Sequence, residues 1–250
     1  MRTVRRTVGV LCISVAPALA GDNPAGIDWQ TLPGLQVART ETSVGQFHRF
    51  VKSQGLVTQA EQRGGGEVYE GGWVRKAGWT WRTPFGRPAD DSEPAVHVTF
   101  AEARAFCRWA GGRLPTDKEW RAAAYTEQRE RPAPPFEPGR VYPYPGGDSP
   151  AGAICLADCG NNAQRLAVAH GAPLTRGAGH APVGRTPPGV NGLFDMGGNV
   201  WEWVDEAAGG DQLLTRGGSW WYGAGPMRAE HLQAKPADTA VVYIGFRCVR

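Results

Sequence analysis

Residues 94–125 read "PAVHVTFAEARAFCRWAGGRLPTDKEWRAAAY". Two capping boxes stand seventeen residues apart, Thr99 with Glu102 and Thr116 with Glu119. In each, a hydroxyl satisfies an orphan amide at a helix start and the glutamate answers it. Phe106, Trp109 and Ala110 share the inward face of the first helix, and Gly111-Gly112 ends it. Trp120, Ala123 and Ala124 form the inner face of the second, and "RLP" is the turn between them. Upstream, "SVGQFHRFVKSQG" repeats the pattern. Ser43 and Gln46 are the box, Val44, Phe47, Phe50 and Val51 are apolar, and Gly55 is the stop.

Outside these helices the chain is rich in turn formers. Gly (35) and Pro (20) exceed a fifth of the 250 residues, too much for a helical bundle. The core of "RGGGEVYEGGWVRKAGWTWRTPFGRPADD" reads as a short hairpin: Val68 and Tyr69, a Gly-Gly turn, then Trp73 and Val74, with Trp79 and Trp81 pointing outward. Residues 126–190 show little periodicity and predict an irregular region draped over the surface; "RERPAPPFEPGR" within it reads as an exposed loop. Strands are expected at "LLTRGGSW" and "AVVYIGFRCV". The sum is one α+β domain with few helices, short strands and many loops. With 41% hydrophobic and 20% charged residues, it is neither disordered nor membrane-embedded.

The N-terminus, "MRTVRRTVGVLCISVAPALAGDNP", has a basic start (Arg2, Arg5, Arg6), an apolar run from Val8 to Val15 and an Ala18-Leu19-Ala20 cleavage signal. Residues 1–20 therefore read as a secretory signal and 21–250 as the mature domain, periplasmic or secreted. Arg5-Arg6 leaves the export route open between Sec and twin-arginine. Cleavage removes three arginines and takes the net charge from +3 to zero, so charge gives no argument for nucleic acid, and no membrane span is left. Four cysteines remain, Cys107, Cys155, Cys159 and Cys248, an even number that suggests two disulfides in an exported protein.

Four blocks line up in order: residues 94–125, "NGLFDMGGNVWEWVDE" (191–206), "RGGSW" (216–220) and "YIGFRCVR" (243–250). Together they resemble the formylglycine-generating-enzyme family, the sulfatase-modifying-factor domain, over roughly residues 35–250. The resemblance implies an elaborated C-type-lectin-like fold and a Cys107–Cys248 disulfide. Cys155 and Cys159, in "CLADCGN", are spaced for a local disulfide; zinc is the alternative and lacks two ligands nearby. The resemblance also implies a structural Ca²⁺ held by Asp195, the carbonyls of Gly198 and Val200, and Glu202. Against it stands a plain turn that buries Trp201 and Trp203 and pairs Glu202 with an arginine. The family's second Ca²⁺ site does not carry over, since the segment around Asn161-Asn162 departs from the pattern.

The stretch "TRGGSWWYGAGPMRAEH" (215–231) is where copper-dependent relatives carry two thiols. Here Tyr222 and Met227 stand in those places. Cu(I) requires soft thiolates, so formylglycine generation by the copper mechanism is not expected. Iron is not supported either: the iron sulfoxide synthases of the family use an additional His-rich helical domain. The aromatic run predicts a ligand pocket walled by Trp201, Trp220, Trp221, Tyr222 and Met227, with Arg228 available for a carboxylate. The expected ligand is a peptide, a protein or a peptide-derived small molecule. A binding, accessory or scaffold protein is the leading reading. A periplasmic oxidative-maturation enzyme resembling the pyoverdine-maturation oxidase is the alternative. A copper-handling factor using Met227 and His231 ranks below both. Asp90-Asp91 reads as solvated and His97 as structural.

Overall fold

The computed structural model describes residues 23–250, so the secretory signal at 1–20 lies outside the described residues. The chain opens with a hairpin, β1 (Trp29–Leu32) and β2 (Leu35–Ala38). Then come α1 (Val44–Gln54), the short α2 (Gln59–Gln62), and the hairpin β3 (Glu67–Tyr69) with β4 (Trp73–Arg75). Helices α3 (Phe100–Trp109) and α4 (Asp117–Tyr125) follow; α5 (Asn162–Leu166) is a single turn in a long irregular region. Strands β5 (Trp201–Gly209), β6 (Gln212–Arg216), β7 (Gln233–Pro236) and β8 (Ile244–Gly245) build a sheet in the order β7-β6-β5-β8. Only the β5–β8 pair is parallel.

All three expected capping boxes are formed, and Gly55 closes α1 in the left-handed conformation (φ 61°). A fourth box, Thr58 with Glu61, starts α2. Helices α1 and α3 meet through aromatic edges. Phe47 lies 5.2 Å from Trp81 and 5.9 Å from Phe106, and Phe106 lies 5.3 Å from Phe246 (centroids). Trp79 and Trp81, expected to point outward, are instead buried, because the chain after β4 turns back onto α1. The strand at "LLTRGGSW" stops at Arg216, where Gly217 and Gly218 take positive φ. At "AVVYIGFRCV" only Ile244 and Gly245 pair as a strand. Strand β5, in the block read as a cation loop, and the β1–β2 hairpin around Pro33-Gly34 are further elements.

Both disulfides are present. Cys107–Cys248 joins α3 to the C-terminal segment across 141 residues, and Cys155–Cys159 closes a local loop, which removes the zinc alternative. In the chain-entropy account, a crosslink of the first kind stabilises by about 4–5 kcal/mol. Among the described residues no helix is long and apolar enough to cross a membrane.

One ion pair sits at the centre. Arg247 and Glu202 are both fully buried. Arg247 Nε donates to both Glu202 oxygens (2.9 and 2.7 Å), and Nη2 donates to Oε1 (2.6 Å). Trp120 Nε1 of α4 donates to Oε2 (2.7 Å). Arg247 also reaches the carbonyls of Ala38 (3.0 Å) and Phe194 (2.8 Å), so one guanidinium ties β2, β5 and the turn before β5 together. Removing one partner strands a buried charge. Arg247→Met is expected to destabilise the fold by about 3–5 kcal/mol in urea unfolding.

His97 is structural, as expected. It is fully buried at φ 56°, with its ring nitrogens at the carbonyls of Pro84 (3.1 Å) and Ala240 (3.4 Å). Burial pushes its pKa down from 6.5 to about 4. The unfolded chain then takes up this proton first, and stability falls as pH drops from 6.5 through 4. His97→Asn, whose side chain tolerates positive φ, is expected to flatten that slope by roughly 3 kcal/mol across the window, read from urea midpoints at pH 7 and 4.

Candidate functional site

The residues expected to wall one pocket divide between the core and two separate faces. Trp201 and Trp220 are 0% exposed and Trp221 is 1% exposed; they belong to the core and are not an open wall. The physical reason is the irregular region before β5. A strap of residues 174–180 meets Trp220 through Gly177 and Trp221 through Arg176. Gly177 (φ +73°) sits so close that a Cβ there would fall 2.6 Å from the Trp220 ring. The Arg176 guanidinium stands 5.6 Å from the Trp221 ring and 5.5 Å from the Tyr222 ring. No periodicity marks such a strap, so its aim was illegible in the sequence.

Tyr222 remains half-buried and faces the first surface. Its ring meets Trp201 edge-on at 5.7 Å and Tyr243 at 6.0 Å. Tyr243 stacks on Trp221 at 5.7 Å, and burial with the neighbouring Tyr222 phenol pushes the Tyr243 phenol well above its ordinary value. His231 lies over Trp201 at 5.8 Å, and its pKa is lowered by burial and by the nearby Arg216. Arg216, only 3% exposed, holds this turn: it pairs with Asp117 of α4 at 2.5 Å and donates to the Ala229 carbonyl at 3.1 Å. His231 and Arg176 thus join Tyr222 on the site, with the fully buried Tyr243 packed beneath it. Tyr243 stands beside the "GFRC" block, His231 carried a signal only as a copper ligand, and Arg176 carried none.

Met227 faces elsewhere. It is 1% exposed and packs with the Cys155–Cys159 disulfide and Ala224. It lines a cavity of about 50 Å³ with Tyr144, Pro145, Asp195, Met196 and Gly197. Arg228, at the rim, is exposed and bonded to the Tyr144 hydroxyl (3.0 Å) and Glu230 (2.8 Å). The soft pair imagined from Met227 and His231 on one helical face is not formed. Met227 ends a 3-10 turn and His231 lies beyond it against Trp201. Tyr222 and Met227 therefore meet different neighbours.

The expected cation loop is built from unusual backbone. Asp195 (φ 57°), Asn199 (φ 50°) and Gly198 (φ 83°) take left-handed conformations, and a Cβ on Gly198 would fall 2.5 Å from the Ile154 carbonyl oxygen. Asp195 accepts from Gly184 N (2.6 Å) and Thr186 Oγ1 (2.7 Å). Glu202 is paired with Arg247, as the plain-turn reading foresaw. Three N–H groups serve its oxygens, which offer about four acceptor positions. Glu41 adds a third buried carboxylate, accepting from Val200 N (3.0 Å) and Asn199 Nδ2 (2.6 Å). Burial, then Asp195 and Glu202, push Glu41 well above its ordinary range; burial also raises Asp195. Burial and the neighbouring carboxylates thus favour the neutral forms of Glu41 and Asp195, and among the described residues no group of three or more His, Cys, Asp or Glu is placed to hold a metal ion.

A second buried pair lies under the strap. His180 Nε2 stands 2.9 Å from Glu93, and burial lowers the His180 pKa despite that carboxylate. Phe85 separates it from Trp220, at 4.8 Å from His180 and 5.9 Å from Trp220. Asp90 caps Ser92 in an exposed turn, and Asp91 is exposed, so neither is a catalytic acid.

A family model described as the sulfatase-modifying factor enzyme 1-like domain matches residues 15–250. The formylglycine-generating enzyme of Mycobacterium tuberculosis is 29% identical over 286 residues, 90% of each chain. The hercynine oxygenase of Mycolicibacterium thermoresistibile is 31% identical over 235 residues, 81% of this chain and 47% of that protein. An inactive C-alpha-formylglycine-generating enzyme 2 of Bos taurus is 29% identical over 240 residues, 81% of this chain and 72% of its own. The chain spans about half the length of several curated relatives it matches. Among solved structures, PvdO from Pseudomonas aeruginosa superposes with a TM-score of 0.55 at 19% identity, covering 86% of this chain and 80% of that one, a likeness of fold.

The strap's position is testable. Gly177→Ala forces a methyl group into the Trp220 ring at a backbone conformation that disfavours any side chain. It is expected to lift residues 174–180 and raise acrylamide quenching of tryptophan fluorescence, with the urea midpoint lowered.

Proposed function

The chain belongs to the sulfatase-modifying-factor family, and on that premise we propose that it is a binding, accessory or scaffold member that holds a peptide or peptide-derived ligand without copper-thiolate chemistry. The observation that carries this reading is the state of the cysteines. All four among the described residues are bonded in pairs, Cys107–Cys248 and Cys155–Cys159. Tyr222 and Met227 supply no thiol, so Cu(I) lacks the soft ligands it needs. The ligand surface is the one around Tyr222, His231 and Arg176, over the buried Tyr243. Its half-buried phenol ring and overlying guanidinium suit an aromatic or carboxylate-bearing group. The two disulfides support a place in an oxidising compartment, periplasmic or extracellular.

Ca²⁺ belongs to the same proposal as a structural ion. Asp195, Glu202 and the carbonyls of Gly198 and Val200 would hold it. Its charge would favour the ionised forms of Asp195 and Glu41, which burial disfavours. Ca²⁺ added after chelation with EDTA is expected to raise the melting temperature by several degrees at pH 7, and Asp195→Asn to abolish the rise. An unchanged melting temperature in the native chain would remove the ion from the proposal.

The functional test is a titration of purified mature protein with Cu(I) and with a peptide library. Saturable peptide binding is expected, weakened at least about tenfold by Tyr222→Ala, with no stoichiometric Cu(I) and no O₂ uptake. O₂ consumption coupled to conversion of a peptide-derived substrate would replace this reading by the oxidative-maturation alternative.

A further inference from the structure

We propose that the surface between β7 and the β3–β4 hairpin is a subsite for the C-terminal carboxylate of a peptide, with Lys235 as its charge partner, Gln233 as its amide partner and Trp73 as its wall. This inference rests on the peptide-binding reading above and names the end of the ligand that is recognised.

The first observation is an ammonium without a counter-ion. Lys235 is 9% exposed. Cations on and beside the β3–β4 hairpin are paired: Arg63 with Asp238, Arg75 with Glu67 and Lys76 with Glu70, at 2.7–3.2 Å. Among the described residues Lys235 forms no such pair. Its Nζ stands 5.5 Å from the centre of the Trp73 ring, which supplies only part of what a carboxylate would. Burial lowers its pKa, the mark of an uncompensated positive charge.

The second observation is the amide beside it. Gln233 and Lys235 are two residues apart on β7, so their side chains leave the same face. The register Gln233↔Thr215 and Lys235↔Leu213, continued by Thr215↔Trp203, puts both on the face that carries Trp203. Gln233 Oε1 is buried and has no hydrogen-bond partner in the protein. A buried amide oxygen without a donor is destabilising, and a ligand N–H would satisfy it.

The third observation is the hairpin. Trp73 is 51% exposed and Tyr69 45%, edge to face at 5.5 Å. Aromatic area of this size left in water marks a contact surface. Strand β3 is held beside residues 240–242, with Glu67 N donating to the Ala240 carbonyl (2.9 Å) and Val242 N to the Glu67 carbonyl (3.2 Å). That places the hairpin next to the buried Tyr243, whose ring packs against Tyr222 at 6.0 Å.

The three groups ask for one chemistry. A carboxylate accepts from Lys235, the N–H of the same residue donates to Gln233, and its side chain rests on Trp73 and Tyr69. A peptide C-terminus carries the carboxylate and the N–H on one carbon. An aspartate side chain brings the charge but holds its N–H farther away.

The test is calorimetric titration of the mature protein with three probes: glycyl-glycyl-phenylalanine, its C-terminal amide, and glycyl-aspartyl-phenylalanine amide. The free acid is expected to bind at least about tenfold tighter than either amide, and Lys235→Met to reduce it to the affinity of its amide. Losing a buried charge, that variant should melt no lower than the native chain; should it fail to fold, the probe comparison decides alone. Equal affinity for acid and amide overturns the proposal, as does an aspartyl amide that matches the acid. If the three probes bind equally and Tyr222→Ala weakens them all, the carboxylate subsite falls and the peptide reading stands. If none binds, both fall.

Discussion

The Arg247–Glu202 pair is the constraint around which the chain is arranged. Both groups are fully buried, and a buried pair is tolerable only when nearly every donor and acceptor is used. Here the guanidinium serves Glu202, Ala38 and Phe194, and Trp120 completes the carboxylate. Those partners come from the first hairpin, the turn before the sheet, the fourth helix and the first long strand. None of these segments can shift without stranding a charge. The neighbouring Cys107–Cys248 bond then fixes the same C-terminal segment to the third helix.

The pair does not balance the charge of its own surroundings. Glu41 and Asp195 lie in the same field, and burial holds both above their ordinary pKa values. The left-handed residues Asp195, Gly198 and Asn199 shape the loop, and Glu41 reaches it by accepting from Asn199 and Val200. That loop begins the strand bearing Trp201 and Glu202, so the charge of the core and the floor of the ligand surface share a few residues.

Around that surface, the irregular region before the sheet sets what is open. Residues 174–180 cover Trp220 and Trp221, while Tyr222 remains at the boundary with Arg176 above it. Met227 is turned to another side, against a disulfide. Tyr222 and Met227 are thus divided in surroundings. An inactive family member matches over 81% of this chain, so loss of the reaction with retention of the domain has a precedent among its relatives.

The sequence by itself determined the local structure. Capping boxes at Ser43, Thr99 and Thr116 act within one turn, so three residues suffice to read each one. The Gly-Gly hairpin, the local disulfide and the ordered motif blocks were legible for the same reason, and the blocks carried the family. Only the tertiary structure decided which aromatic residues face a ligand. Trp79, Trp81, Trp201, Trp220 and Trp221 have the composition of a site and the burial of a core. Exposure depends on what a distant segment lays over a ring, and the strap at 174–180 has no periodicity to announce it. The same holds for charge. Glu202, Arg247, Glu41 and Lys235 are ordinary letters along the chain, and only packing shows which are paired and which are buried without a counter-ion.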